Sequence, residues 1–271
     1  MDPNKATFLF LVLAAGAGAA SAQGDPFLGR DFPTWGHPGS LAIGDLNGDG
    51  KPDIALTSAG PNAPLPPVAE TYLGNGAGAI VQSYSHALFG GNPIAIAIGE
   101  ATGDAFLDLA VADALGGAVL FPGDGLGGFG APTTWAPTLH PTSVAIADLN
   151  GDGKVELLGA VQSTNSVFVM LGLGGGAFSA PTTFYGGSIP VAVAVADMDG
   201  DGKLDVIVAD SASICILLGN GVGGFAPAVT TLTGVDPKSL AIGDFNGDGK
   251  PDVATANANS DNVTVKFSTS Q

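Results

Sequence analysis

The sequence predicts an all-β fold made of five similar units, on the evidence of three recurring features. An acidic nine-residue string occurs five times, with starts 55, 48, 49 and 47 residues apart. An apolar segment that alternates large and small residues precedes each string, and a glycine-rich segment comes after it. A period in this range is typical of the blades of a propeller or the turns of a solenoid.

The segment before each string is predicted to be the first strand of its unit. In the runs before Asp45 and Asp197, SLAIG and VAVAVA, large and small residues alternate with the period of two that indicates a strand. Apolar character on both faces indicates a strand packed between neighbouring sheets. The small residues on one face suit the crowded innermost strand of a propeller.

The acidic string itself predicts a loop that binds a hard cation. It carries oxygen-bearing side chains at positions 1, 3, 5 and 9, with glycine at position 4 and usually at position 6. Ca²⁺ takes six to eight oxygen ligands, and a tight glycine turn lets short acids converge on one point. A plain polar turn is the alternative, but several clusters of carboxylates without a cation would repel strongly. The loops cover residues 45–53, 100–108, 148–156, 197–205 and 244–252.

The residues after the string distinguish it from an EF-hand loop. An EF-hand needs a bidentate Glu at position 12 and flanking helices. Here the last acid is at position 9 and an apolar run begins at once, as in Asp205-Val-Ile-Val-Ala. The loop therefore joins two strands. A third strand, a glycine-rich hairpin and a fourth strand complete the unit, and the hairpin residues Phe129, Phe178 and Phe225 are predicted to pack between units.

The run Phe129-Gly-Ala-Pro132 after a GxGG turn, paired with the acidic loops, resembles the FG-GAP (VCBS-type) repeat. This repeat is found in integrin α-subunit heads and in many secreted bacterial proteins. The resemblance covers nearly all of residues 32–271. It implies a β-propeller of four-stranded antiparallel blades, with calcium bound in the loop between the first and second strands.

The resemblance also implies a ligand set for each loop. Positions 1, 3, 5 and 9 would bind through side chains, and position 7 would bind through the backbone carbonyl of a lysine whose side chain points outward. In four loops these residues are Asp45, Asn47, Asp49, Lys51 and Asp53; Asp148, Asn150, Asp152, Lys154 and Glu156; Asp197, Asp199, Asp201, Lys203 and Asp205; and Asp244, Asn246, Asp248, Lys250 and Asp252.

The loop of the second unit departs from this pattern. It offers Glu100, Thr102, Asp104 and Asp108, and Ala105 replaces the glycine at position 6. The sequence therefore predicts four calcium sites and leaves the occupancy of the fifth open.

Residues 23–271 leave room for five blades of about 50 residues each. The last unit supplies only three strands, and residues 31–35 (DFPTW) resemble the fourth strand at 132–135. The N-terminal strand is therefore expected to complete the last blade and close the ring, which removes exposed sheet edges.

The N-terminus and the charge indicate where the protein acts. Residues 1–22 have the basic start, apolar stretch and A-x-A site of a secretory signal peptide. The mature chain, 23–271, is expected to be one domain, exported to the periplasm or the extracellular space, monomeric and without a membrane span. The net charge of −17 is assigned to the metal loops, and the few scattered Lys and Arg residues exclude a nucleic-acid patch.

No catalytic constellation is present in the sequence, so an enzyme is the least favoured function. The face opposite the calcium loops carries the residue before a repeated proline in each blade: His37, Asn92, His140, Ile189 and Asp236. Varied side chains on a constant frame are typical of recognition, although residues before proline also vary in ordinary turns, where they favour extended backbone. The sequence predicts a module for cell adhesion or other recognition of a protein or glycan; the alternative is a matrix scaffold without a discrete site.

Overall fold

The computed structural model describes residues 31–34, 36–59, 68–88 and 91–268. Within these residues the chain folds into five antiparallel blade sheets that succeed one another along the sequence, and one hairpin adds a short two-stranded sheet. This confirms the predicted all-β propeller of five blades. The predicted signal peptide, residues 1–22, lies outside the described residues.

Each blade is a meander in which consecutive strands are hydrogen-bonded neighbours. Blade one contains β1 (His37–Gly44), β2 (Asp53–Ala59), β3 (Val68–Gly74) and β4 (Ile80–Ala87). Blade two contains β5 (Pro93–Gly99), β6 (Asp108–Asp113), β7 (Gly117–Phe121) and β8 (Thr133–Trp135). Blade three contains β9 (Ser143–Ala147), β10 (Glu156–Val161), β11 (Ser166–Met170) and β14 (Thr182–Tyr185).

Blade three also has a one-turn 3₁₀ helix, Gln162–Thr164, and its hairpin forms the short strands β12 (Gly172–Gly174) and β13 (Ala177–Phe178). Blade four contains β15 (Ala192–Ala196), β16 (Asp205–Ala209), β17 (Ser213–Leu217) and β18 (Val229–Leu232). Blade five contains β19 (Pro237–Gly243), β20 (Asp252–Asn257) and β21 (Asn262–Lys266). Four blades thus have four strands, and the described part of blade five has three.

The first strand of each blade is the innermost one, as the alternation of large and small residues predicts. β1, β5, β9, β15 and β19 contact one another in this order. All residues of β9 are buried, because its sheet is covered on both sides by neighbouring blades.

The apolar cores lie between blades. Separate clusters join blade one to two, two to three, three to four and four to five. The predicted packing of the hairpin phenylalanines is confirmed by edge-on contacts with the fourth strand of the preceding blade. Phe178 contacts Trp135 with ring centroids 5.4 Å apart, and Phe225 contacts Phe184 at 4.9 Å. Phe129 contacts His86 at 5.1 Å.

The ring has a seam between blade five and blade one. Among the described residues, no apolar core joins these two blades. Ile43 on β1 is 50% exposed, and Val263 on β21 is 67% exposed. The outer edge of β21 also has no partner strand within the described part of the chain.

Residues 31–34 of the predicted closing segment 31–35 lie on the blade-one side of this seam. The Tyr72 hydroxyl donates a hydrogen bond to the Pro33 carbonyl at 2.9 Å, and Phe32 lines a groove with Ile80. Ile80 pairs with Gly74 in blade one as Phe178 pairs with Gly172 in blade three, so Ile80 and Phe178 are equivalent residues. Phe178 contacts the fourth strand of the preceding blade. Phe32 therefore lies against blade one where the fourth strand of a preceding blade lies in the other interfaces. Residues 31–34 are not in a strand, and Trp35 lies outside the described residues. Closure by pairing with β21 stays a prediction.

Candidate functional site

The five acidic loops share one backbone conformation. Positions 4 and 6 have left-handed φ angles, for example 71° at Gly48 and 79° at Gly50. Glycine adopts this region without a Cβ penalty, and two such residues in close succession turn the chain tightly enough to gather positions 1, 3 and 5. Blade two keeps the same turn with Ala105 at φ 72°, which is strained for a residue with a Cβ.

The acid at position 1 organises the turn from inside. In blade five, Asp244 accepts the backbone N–H of Gly247 at 2.7 Å, of Asp248 at 3.1 Å and of Gly249 at 2.8 Å. The hydrogen bond from the Gly249 N–H contributes most to lowering the pKa of Asp244, because it stabilises the charged form. Asp244 is therefore held as a carboxylate, the form that binds a cation.

The acid at position 9 is buried in every loop, with an exposed fraction of 0 or 1%. In blade four, Asp205 accepts the N–H of Met198 and the N–H of Gly219, both at 2.7 Å. The same two bonds recur in blade one, from Leu46 and Gly74 to Asp53. Position 9 thus ties the loop to the end of the third strand, a structural role that the sequence did not reveal.

Burial also makes these acids unfavourable as free charges. Desolvation is the largest cause that raises the pKa of Asp108, Glu156 and Asp205, and the nearby acids add to it. A cation in the loop would remove this cost because it supplies the missing countercharge.

Blade four has the clearest group of donor atoms. Asp197, Asp199 and Asp205 each offer a carboxylate oxygen, and these atoms lie within 4.8 Å of one another. Short acids around one point fit an oxygen-preferring divalent cation. The other loops carry Asn or Thr at position 3, as in Asn47, and so offer fewer charges.

Two of the lysines at position 7, Lys51 and Lys203, contact the acid at position 5, and both side chains stay 43% exposed. Lys51 Nζ lies 2.9 Å from Asp49 Oδ2, and Lys203 Nζ lies 2.5 Å from Asp201 Oδ2. The stem of Lys51 also lies over the hairpin, 3.1 Å from where a Cβ on Gly76 would be. These side chains bend back because the neighbouring acid attracts the ammonium group and the glycine leaves space for the stem. The side-chain hydrogen bond from Lys51 is the main reason why the pKa of Asp49 is lowered, and the one from Lys203 is the main reason why the pKa of Asp201 is lowered.

The loop of blade two is closed by different contacts. Glu100 uses a single oxygen, Oε1, to accept the N–H of Gly103 and, at 3.2 Å, of Asp104. Asp108 accepts the N–H of Ala101, Thr102 and Gly123, so the tie to the third strand is kept. The loop of blade two therefore forms the same turn as the other loops, and its occupancy by calcium is not decided by these contacts.

The opposite face carries the five residues before proline, His37, Asn92, His140, Ile189 and Asp236. Four of the side chains are exposed or partly exposed and that of Asp236 is half-buried, while the prolines after them in blades two to five are buried. The backbone differs from the extended form expected before proline, since φ is 49° at His140, 58° at Ile189 and 60° at Asp236. Ile189 is the most unusual, because β-branched residues disfavour this region.

Hydrogen bonds hold two of these three left-handed residues in place. The Ile189 N–H donates to Asn165 Oδ1 at 2.9 Å, and the Asp236 N–H donates to the Ser211 carbonyl at 2.8 Å. The Asp236 carboxylate also lies 2.7 Å from Lys238 Nζ. These residues therefore project from a fixed frame at the start of the innermost strands.

Two further acids on this face are buried, which the sequence did not show. Asp113 ends the second strand of blade two, and Asp210 directly follows the second strand of blade four; they are 1% and 4% exposed. Both accept backbone N–H groups of the turn to the third strand, for example from Gly116 at 3.0 Å and Ser213 at 2.7 Å. An Asp at a strand end before a short turn is the sequence signal for such a role.

Comparisons with known proteins agree with the repeat. The FG-GAP-like repeat matches residues 101–159, 148–208 and 197–255, and the FG-GAP repeat matches residues 37–81. No curated protein sequence matches the chain at a significant level.

Three solved structures are similar to this chain. The Photorhabdus luminescens Tc holotoxin pore matches at 21% identity and a TM-score of 0.46, over 85% of this chain and 11% of that one. An Agrocybe aegerita lectin, solved for its recognition of non-reducing terminal N-acetylglucosamine, matches at 20% and 0.57, over 85% and 65%. BBS1N in complex with ARL6DN matches at 14% and 0.56, over 90% and 67%. The chain thus spans a small part of the first and about two thirds of the other two.

Proposed function

Because this chain belongs to the FG-GAP repeat family, we propose that it is an exported, calcium-stabilised propeller that recognises a protein or a glycan on the face opposite its acidic loops. The observation that carries the proposal is the ring of five residues before proline. Their side chains differ in charge, size and polarity, although the frame repeats. Three of them have left-handed backbone, and strained residues of this kind concentrate at functional sites.

Calcium is proposed as a structural cofactor. The donor set is made of carboxylate, amide and carbonyl oxygens, which is the set that Ca²⁺ prefers. The clustered acids of blade four and the buried acids at position 9 support it. Bound calcium would neutralise the loops and fix the link between the first and second strands.

Both ligand classes, protein and glycan, are proposed from the fold. The Agrocybe aegerita lectin, whose fold is similar to that of this chain, recognises non-reducing terminal N-acetylglucosamine, and this supports a glycan as a candidate ligand. Export is proposed from residues 1–22. The described part of the chain contains no helix with the length and apolar character that crossing a bilayer requires.

Calcium dependence is tested by thermal unfolding of the mature chain in millimolar Ca²⁺ and in excess EDTA. We expect EDTA to lower Tm by well over ~10 °C, because stabilisation by several bound ions adds. Equal melting curves in the two buffers would refute the calcium sites.

Recognition is tested by a glycan array and by pull-down from native cell-surface material. The test variant combines His140→Asn with Asp236→Asn, since Asn tolerates left-handed backbone. A matched control, Leu126→Ala with Val222→Ala, changes exposed hairpin tips on the calcium-loop side. We expect the first variant to lose binding and the control to keep it. Equal binding by both would place recognition elsewhere.

A further inference from the structure

Three of the acidic loops carry Asn-Gly at positions 3 and 4, at residues 47–48, 150–151 and 246–247. Asn-Gly is the dipeptide most prone to deamidation, because glycine has no Cβ to shield its backbone nitrogen from the asparagine side chain. A Cβ on any of these three glycines would have no neighbour within 4 Å. In the hairpin pairs 75–76 and 220–221, by contrast, a lysine stem lies 3.1 and 2.9 Å from where a Cβ on the glycine would be. The acidic loops therefore leave room for the reaction.

Blade one differs from blades three and five in the hydrogen bond of the glycine nitrogen. The N–H of Gly151 and the N–H of Gly247 each donate to the acid at position 1 at 2.7 Å. Among the residues that the structure describes, the Gly48 N–H has no acceptor; Asp45 instead accepts the N–H groups of positions 5 and 6, at 3.0 and 2.7 Å. The nitrogen that has to attack is therefore held in blades three and five and free in blade one.

The asparagine side chains differ in the same direction. Asn150 Nδ2 donates to the acid at position 9, and Asn246 Nδ2 donates to the acid at position 5, each at 3.1 Å. These bonds resist the rotation of the amide that the reaction requires. Asn47 Oδ1 accepts the Asp49 N–H at 3.0 Å, which closes a small ring that contains the Gly48 nitrogen. The attacked carbon and the free nitrogen of blade one thus lie in one turn.

We propose that Asn47 is a site of spontaneous deamidation, and that the contacts within their loops protect Asn150 and Asn246. The Gly48 nitrogen loses its proton to solvent and attacks Cγ of Asn47. The bond from Cγ to Nδ2 breaks, and ammonia leaves a cyclic succinimide. Water then opens the ring: attack at Cγ gives aspartate, and attack at the backbone carbonyl gives isoaspartate. The net reaction consumes one water and exchanges the amide for a carboxylate.

Deamidation to aspartate gives the loop of blade one the donor set of blade four. Asp199 occupies position 3 there, and its carboxylate oxygen lies within 4.8 Å of those of Asp197 and Asp205. The product adds a fourth carboxylate to the three that blade one already has. Isoaspartate instead lengthens the backbone by one carbon and displaces position 3 from the others. The effect on metal binding rests on the proposed calcium sites, whereas the deamidation itself does not.

The test is peptide mass spectrometry of the mature chain after incubation in EDTA at mildly alkaline pH, below the Tm measured in that buffer. Residues 46–51 and 149–154 have the same sequence, Leu-Asn-Gly-Asp-Gly-Lys, so the two loops differ in their contacts and not in local sequence. We expect Asn47 to deamidate about tenfold faster than Asn150 or Asn246, since each of these has a charged acceptor that holds the glycine N–H. In urea the three rates should converge, because the loop contacts are lost.

The decisive variant is Asp148→Ala, which removes the acceptor of the Gly151 N–H and should raise the deamidation rate of Asn150 towards that of Asn47. Asp45→Ala is the matched control. It removes the same contacts to positions 5 and 6 in blade one but none to position 4, so it should raise the Asn47 rate much less.

Equal rates at the three asparagines of the folded wild type, or a faster rate at Asn150 or Asn246 than at Asn47, would overturn the proposal. An Asn150 rate that Asp148→Ala leaves unchanged would overturn it as well, because the glycine bond would then not be what protects this residue. If Asp148→Ala does not fold, the ranking in folded wild type against that in urea decides.

Discussion

Ile189 holds a left-handed backbone with φ 58°, a conformation that costs a β-branched residue on the order of 1–3 kcal/mol. Its side chain is 51% exposed, so packing in a core does not explain the choice of isoleucine. The frame fixes the conformation through the hydrogen bond from the Ile189 N–H to Asn165. This strained and exposed residue belongs to the recognition ring proposed above.

Ile189→Gly should therefore raise stability and lower recognition. Glycine adopts φ 58° freely, and we expect a gain of about 1 kcal/mol in the free energy of unfolding, measured by urea denaturation in Ca²⁺. Asn92→Gly is the matched control at an equivalent position without left-handed φ, where glycine should be neutral or destabilising. A loss of stability in Ile189→Gly would show that the side chain is needed for packing.

His86 is a polar residue in an apolar interface. It occupies the position of Trp135 and Phe184 in the next two blades, against Phe121 and Phe129. Its Nε2 is buried without a hydrogen-bond partner among the described residues. Desolvation is the largest cause that lowers the pKa of His86, and Asp124 opposes it weakly.

The lowered pKa of His86 sets the sign of a pH dependence. Below about pH 6.5 the unfolded chain binds a proton that the folded chain resists, so His86 makes stability fall as the pH falls. His86→Phe should gain about 1 kcal/mol at pH 7 and more at pH 5.5, because it removes the unpaired nitrogen. Melting of both proteins at the two pH values isolates His86, since the acidic loops are common to them. An unchanged difference between the proteins at the two pH values would contradict the assignment.

At the level of elements, local sequence was sufficient to predict the loops and strands. The acidic loops, the strands on either side and the inter-blade phenylalanines depend on side-chain periods and turn residues within a few positions. The bent lysines, the left-handed residues before proline and the double hydrogen bonds of Asp53 and Asp205 could not be predicted in this way. These features depend on contacts with hairpins and turns that lie 14 to 25 residues away in the sequence. Such segments come together only when the blade has folded.

The loops themselves should differ in their dependence on calcium. Asp201 and Asp104 make the same local bond, each accepting the N–H two residues later at 2.9 Å, so their replacement by alanine costs the same turn contact. The exposed ion pair of Asp201 with Lys203 adds little. We expect Asp201→Ala and Asp104→Ala to lower Tm equally in EDTA. In millimolar Ca²⁺, Asp201→Ala should lower Tm several times more, because blade four offers more ligand charge. Equal losses in Ca²⁺ would mean that blade two binds the ion as well.

At the scale of the whole molecule, stability depends on how the ring is closed. Four of the five interfaces between blades contain apolar cores, and the described residues at the fifth leave Ile43 and Val263 exposed. An unpaired edge on β21 would invite association with other chains. The segment 31–34 lies against Tyr72 of blade one, on the side of that blade that faces the seam.

Deletion of residues 23–36 should therefore open the ring. It removes the Pro33 carbonyl that the Tyr72 hydroxyl contacts and the predicted partner of β21, so we expect oligomers or aggregates in light scattering and a lower Tm in Ca²⁺. The control deletion, residues 23–30, leaves the segment 31–36 in place and should stay monomeric. Because both deletions shorten the same end of the mature chain, the difference between them measures the closing segment alone. A truncated 37–271 chain that is monomeric and as stable as the control would show that blade five is complete without this segment.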